Sequence, residues 1–117
     1  MINFSYTLRG RNIEASVAEF VRNFNLSAYE SRYKGGFLRI FEDSSFWNKN
    51  NYMVIIRVDT NDKDDGIIRI EVISGGADDK LLVGSIFGGD KRRIKEFPKS
   101  LQKFCEERHI NCVADEP

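Results

Sequence analysis

Hydrophobic and polar positions alternate at the start of the chain. Ile2, Phe4, Tyr6 and Leu8 fall between Asn3, Ser5, Thr7 and Arg9, the period-two signature of a strand with one buried face. Gly10 ends it. From Asn12 the period changes: Ile13, Val17, Phe20, Val21 and Phe24 recur at helical spacing and form one apolar stripe. Asn12 is placed as the N-cap, and Glu14 falls in the first turn, where the helix dipole favours an acid. Ser27 to Tyr33 reads as a strand and Lys34-Gly35-Gly36 as a tight hairpin turn. In the strand that follows, Phe37, Arg39 and Phe41 take one face and Leu38, Ile40 and Glu42 the other.

Beyond the polar stretch Asn48-Lys49-Asn50-Asn51, Tyr52 to Val58 is an almost unbroken apolar run rich in β-branched residues. It predicts a central strand covered, at least in part, on both sides. Asp59 to Gly66 is a charged loop, after which Ile68, Ile70 and Val72 face inward from a strand broken by Ser74-Gly75-Gly76. Leu81 to Phe87 reads as one more strand, closed by Gly88-Gly89. From about Asp90 helical spacing returns in Ile94, Phe97, Leu101, Phe104 and Arg108. Pro98 fits only a first turn or a kink, so the regular helix is expected to begin near Phe97. Ile110 to Val113 adds a short terminal strand.

Strands joined by short loops pair antiparallel, because a parallel pairing needs a long crossover. Two amphipathic helices each need an apolar partner, and one face of the sheet supplies it. The expected fold is α+β: a two-layer sandwich with a mainly antiparallel sheet of five to six strands and two helices on one face. Residues 1–117 are read as a single domain, for which their number is ordinary.

Ile40-Phe41-Glu42-Asp43-Ser44, the run Tyr52 to Val58, and Ile70 to Ile73 leading into Ser74-Gly75-Gly76 form a pattern, followed by a last apolar segment, glycine and a helical start. Over residues 37–104 it resembles a family of small bacterial proteins catalogued as a domain of unknown function. Those relatives carry Gly-Glu where this chain has Gly89-Asp90. The resemblance implies a bacterial origin and an α+β fold, and it implies no activity and no functional residue.

Composition narrows the field. With 41% hydrophobic residues, nine Phe among them, a core can form without a metal or a disulfide. Lys and Arg total 18, as do Asp and Glu, so no global field draws the protein to nucleic acid or an anionic membrane. Met1-Ile2-Asn3-Phe4 lacks the basic start and apolar run of a signal peptide, and no stretch nears the roughly eighteen apolar residues of a span. A cytoplasmic location is expected, with Cys105 and Cys112 reduced and the sequon Asn25-Leu26-Ser27 unused.

Candidate chemistry is sparse. Aligning Gly66 with the sixth position of a calcium loop puts Lys63 and Val72 at ligand positions, and both fail. Gly84 to Lys91 lacks the Lys-Ser/Thr pair of a phosphate-binding P-loop. Its looser form survives: glycine-exposed amides at a helix start beside Lys91, Arg92, Arg93 and Lys95 suit an anion or nucleic acid. Cys105, His109 and Cys112 supply three zinc donors where a structural site wants four, so no metal or cofactor is expected. His109 is the one histidine, and no acid–base pair or nucleophilic dyad can be nominated; an enzyme remains the third alternative. Phe37, Phe41, Phe46, Trp47 and Tyr52 are dense enough to line an apolar pocket or a contact patch, against the blander reading that they fill the core. The leading expectation is a non-catalytic module that binds a small apolar ligand or another protein, a second copy included, through Phe41, Phe46, Trp47 and Tyr52. Membrane contact is not expected, and nucleic acid is the weaker alternative.

Overall fold

The computed structural model describes residues 2–44, 51–60, 66–75 and 93–115. Six strands form one antiparallel sheet: β1 (Ile2–Arg9), β2 (Tyr29–Tyr33), β3 (Gly36–Ser44), β4 (Asn51–Thr60), β5 (Ile67–Gly75) and β6 (Asn111–Ala114). Two helices, α1 (Glu14–Phe24) and α2 (Phe97–Glu107), accompany it, α2 preceded by one turn of 3-10 helix at Arg93–Glu96. The spatial order is β2-β3-β4-β5-β1-β6. α1 carries the chain from β1 to the far edge, three hairpins bring it back to β1, and α2 delivers β6 to the edge that is left. The α+β sandwich expected from periodicity is the fold observed.

The apolar stripes meet on one face of the sheet. Leu8, Val54, Ile56, Ile68, Ile70 and Val72 reach zero exposure beneath Val17 of α1 and Phe97 and Leu101 of α2. Phe97 is the centre of this layer, with ring centroids 6.4 Å from Tyr6, 5.7 Å from Phe20 and 5.3 Å from Phe24. Burying such a ring contributes about 2–3 kcal/mol. Pro98 lies in the first turn of α2, where its missing N–H costs nothing.

One expectation is corrected. Asn12 does not cap α1: the N-cap is Ile13, with no side-chain cap bond, and Asn12 takes a left-handed turn at φ 55°. Burial decides this, since the turn drops Ile13 into the core near Gly10 and Ile110. The apolar run of β4 is covered fully on one side and in part on the other: Tyr52, Val54, Ile56 and Val58 are buried and Ile55 is half-buried, whereas Met53 and Arg57 are exposed. Asn61 to Asp65 and the strand expected at Leu81 to Phe87 lie outside the described residues. Among those described, no helix is long and apolar enough to cross a membrane.

Candidate functional site

Phe41 and Tyr52, expected at a pocket or contact patch, are 8% and 4% exposed. Phe41 lies 6.4 Å from the Phe24 ring, inside the layer between sheet and helices. Phe46 and Trp47 lie outside the described residues, as do Lys91 and Arg92. Arg93 and Lys95 are both exposed, and the Arg93 guanidinium sits 5.2 Å from the Phe24 ring centroid.

The start of the last helical segment already has an anion. Asp43, 6% exposed, accepts from the backbone N–H of Arg93 at 3.1 Å and of Ile94 at 2.8 Å. A carboxylate there satisfies amides that the helix leaves unpaired and complements the local dipole. The thiols are quiet: burial first, then the neighbouring Cys112, pushes Cys105 up to about 12, and burial raises Cys112. His109 is exposed beyond the end of α2, and no group of His, Cys, Asp and Glu among the described residues can hold a metal.

A second charged cluster joins α1 to the β2 edge. Glu30 accepts from Arg39 Nη1 at 2.7 Å, Arg22 Nε at 2.8 Å and Arg32 Nε at 3.0 Å, and Arg39 Nη2 donates to the Asn25 carbonyl at 2.8 Å. The Arg22 hydrogen bond, opposed by burial and helped by Arg32 and Arg39, lowers the Glu30 carboxyl to about 2. The three guanidinium groups converge on one carboxylate, so the cluster is structural. An open hollow of about 640 Å³ lies at the opposite end of α1, between Arg9, Arg11, Asn12 and Glu14 and the strand start at Gly66-Ile67. Among the described residues, Ile67 is the sole apolar side chain on its wall, which does not suit an apolar ligand.

The remaining surface is the other face of the sheet, which neither helix covers. Register places Tyr29, Ile40, Ile55, Ile73 and Asn3 in one row across β2, β3, β4, β5 and β1. Tyr29 is 67% exposed and the three isoleucines are half-buried. Met53, 49% exposed, borders the row on one side, and Leu38 borders it on the other. Beyond Leu38 the polar groups are paired among themselves: Tyr33 Oη donates to Asp59 at 2.6 Å, and Arg57 Nε donates to Tyr33 Oη at 3.2 Å. Asp115 accepts from Ser5 at 3.0 Å and Thr7 at 2.9 Å, with Arg69 3.7 Å away.

A scan against family models and searches of curated proteins and of solved structures found no match. The candidate site therefore rests on this geometry. Its signal was present in the sequence as Ile40, Ile55 and Ile73, β-branched residues at outward positions where a solvated face carries polar ones. The aromatic density around Phe41 and Tyr52 drew attention to the inner face instead. Clustered rings mark burial without saying which side of a strand is buried.

Proposed function

We propose that the chain is a non-catalytic protein-interaction module that works, in the cytoplasm, through the face of its sheet that neither helix covers among the described residues. The observation that carries this reading is the row Tyr29, Ile40, Ile55 and Ile73, flanked by Met53 and Leu38. Side chains of this kind, partly open to water, form a patch on the order of a few hundred Å², the size at which an apolar surface on a monomer is commonly functional. An apolar centre beside a polar rim is the usual anatomy of an interface. The rim here is already hydrogen-bonded within the chain through Asp59 and Asp115, so covering the centre strands no donor of that set. The buried positions of Phe41 and Tyr52 and the closed state of the thiols leave a pocket or a nucleophile without comparable support.

Hydroxyl-radical footprinting of the full chain tests this, with Met53 and Tyr29 as reporters. Labelling should fall at both in lysate of the source cell relative to dilute purified protein, while exposed Leu26, away from the face, labels equally in each. Equal labelling of Met53 and Tyr29 in the two settings would overturn the reading.

A further inference from the structure

We infer that the outer edge of β2 takes up an extended acidic segment of another protein as an added strand of the sheet. This surface is distinct from the sheet face proposed above and meets it only at Tyr29.

β2 ends the strand order and pairs with β3 alone among the described residues. Its hairpin to β3 closes on Lys34 and Gly35, which makes Tyr33 and Gly36 a hydrogen-bonded pair. Such pairs alternate along an antiparallel ladder. Tyr29, Ser31 and Tyr33 therefore bond to β3, and the N–H and C=O groups of Glu30 and Arg32 point away from the sheet. These groups are what an added strand uses, and β2 has neither a proline nor a break in register to turn one away.

Charge decides which strand fits. Glu30 and Arg32 share the helix side of β2, where Arg22 and Arg39 join them. Besides tying α1 to β2, this cluster sets three guanidinium groups against one carboxylate, which leaves two positive charges unbalanced. Lys34 in the turn and Glu19, one turn before Arg22 on α1, offset each other. The surplus lies at the edge: Arg39 is buried, whereas the Arg22 side chain is 37% and that of Arg32 77% exposed. Arg32 meets Glu30 through Nε, which among the described residues leaves its two terminal nitrogens for an incoming acid.

An inward-facing charge on an edge strand ordinarily wards off pairing. Here the charge is positive and in excess, so it repels a basic strand, or β2 of a second copy, and attracts an acidic one. The partner's acids fall at every second position, on the helix side. Its alternate side chains lie beside Tyr29 and Tyr33, both exposed on the other face.

Nuclear magnetic resonance of the full chain tests this, with the peptide acetyl-Val-Glu-Val-Glu-Val-Glu-Val-amide and its lysine counterpart as probes. At about 1 mM and low salt, the glutamate peptide should shift the resonances of Tyr29 to Tyr33. It should slow exchange of the Glu30 and Arg32 amides roughly ten-fold, while the Ser31 amide, already bonded to β3, changes little. The lysine peptide should bind roughly ten-fold more weakly. Arg32→Glu brings the cluster to zero net charge and should remove that preference. If this variant does not fold, Arg32→Gln should narrow it. Of the two alternately N-methylated forms of the glutamate peptide, one should bind and the other should not, because only alternate amides of an added strand face the edge. No shift at β2, shifts without slower exchange at Glu30 and Arg32, or equal affinity for the two peptides overturns the inference. So does slow exchange of both amides in the dilute pure chain, which would show the edge already covered. Met53 labelling judges the sheet face separately, so either reading can fall alone.

Discussion

Replacing Glu30 with Gln removes the negative centre of the cluster that holds Arg39, a guanidinium 8% exposed on the helix-facing side of the sheet. Two estimates of the cost fall in the same range. Breaking one side of a buried ion pair costs about 3–5 kcal/mol, because the remaining charge is left without a counterion. The Glu30 carboxyl, brought from 4.5 to about 2, corresponds to about 3 kcal/mol at neutral pH. Arg32 also lowers the Glu30 carboxyl, but with a side chain 77% exposed its share is screened by solvent, which makes about 3 kcal/mol an upper figure. A carboxyl whose folded value is depressed stabilises the fold above its unfolded value. That contribution is lost as pH falls from about 4.5 through about 2. About 2 kcal/mol of it should be gone by pH 3. Urea unfolding followed by circular dichroism at pH 7 and at pH 3 measures both. Glu30→Gln should be less stable than the wild type by about 3 kcal/mol at pH 7 and by about 1 kcal/mol at pH 3. A gap that does not narrow on acidification would refute the assignment of this stability to the ionised carboxylate.

Asp43→Ala should cost about 2–3 kcal/mol in urea unfolding, since it leaves the Arg93 and Ile94 amides unpaired, and Ile94 should lose hydrogen-exchange protection. Gly35 sits at φ 97°, and a methyl there would meet only the Thr60 carbonyl oxygen, at an ordinary 3.6 Å. Gly35→Ala should therefore cost only backbone strain of about 1–2 kcal/mol. A methyl on Gly36 runs into the Val58 carbonyl oxygen, so Gly36→Ala should cost more than its neighbour in the same thermal melt. With its thiol pushed to about 12, Cys105 should ignore an aromatic disulfide reagent at pH 8 and react once urea unfolds the chain; rapid native labelling would contradict its burial.

Elements with a clean period were legible in the sequence. β1 alternates without a break and β5 does so from Ile68 to Val72, α1 and α2 keep their stripes through Val17, Val21, Leu101 and Cys105, and Pro98 marks where α2 begins. What escaped detection depends on residues distant along the chain. Asp43 meets the Arg93 amide across fifty positions, so neither residue shows its role alone. Arg39 on the inner side of β3 looks like a misplaced charge until the β2–β3 register sets it opposite Glu30. Asn12 has the chemistry of a cap, but the pull of Ile13 into the core outweighs a bond worth about 1 kcal/mol.

Local periodicity by itself determined which elements form and which side chains share a face, because a strand or helix repeats its geometry every two or 3.6 residues whatever surrounds it. Tertiary structure decided which of the two faces the helices would cover, and it aligned Tyr29, Ile40, Ile55 and Ile73 into one row. The physical reason is that a row across a sheet belongs to the register between strands. Hydrogen bonds between segments distant in sequence set that register, and no single segment contains it.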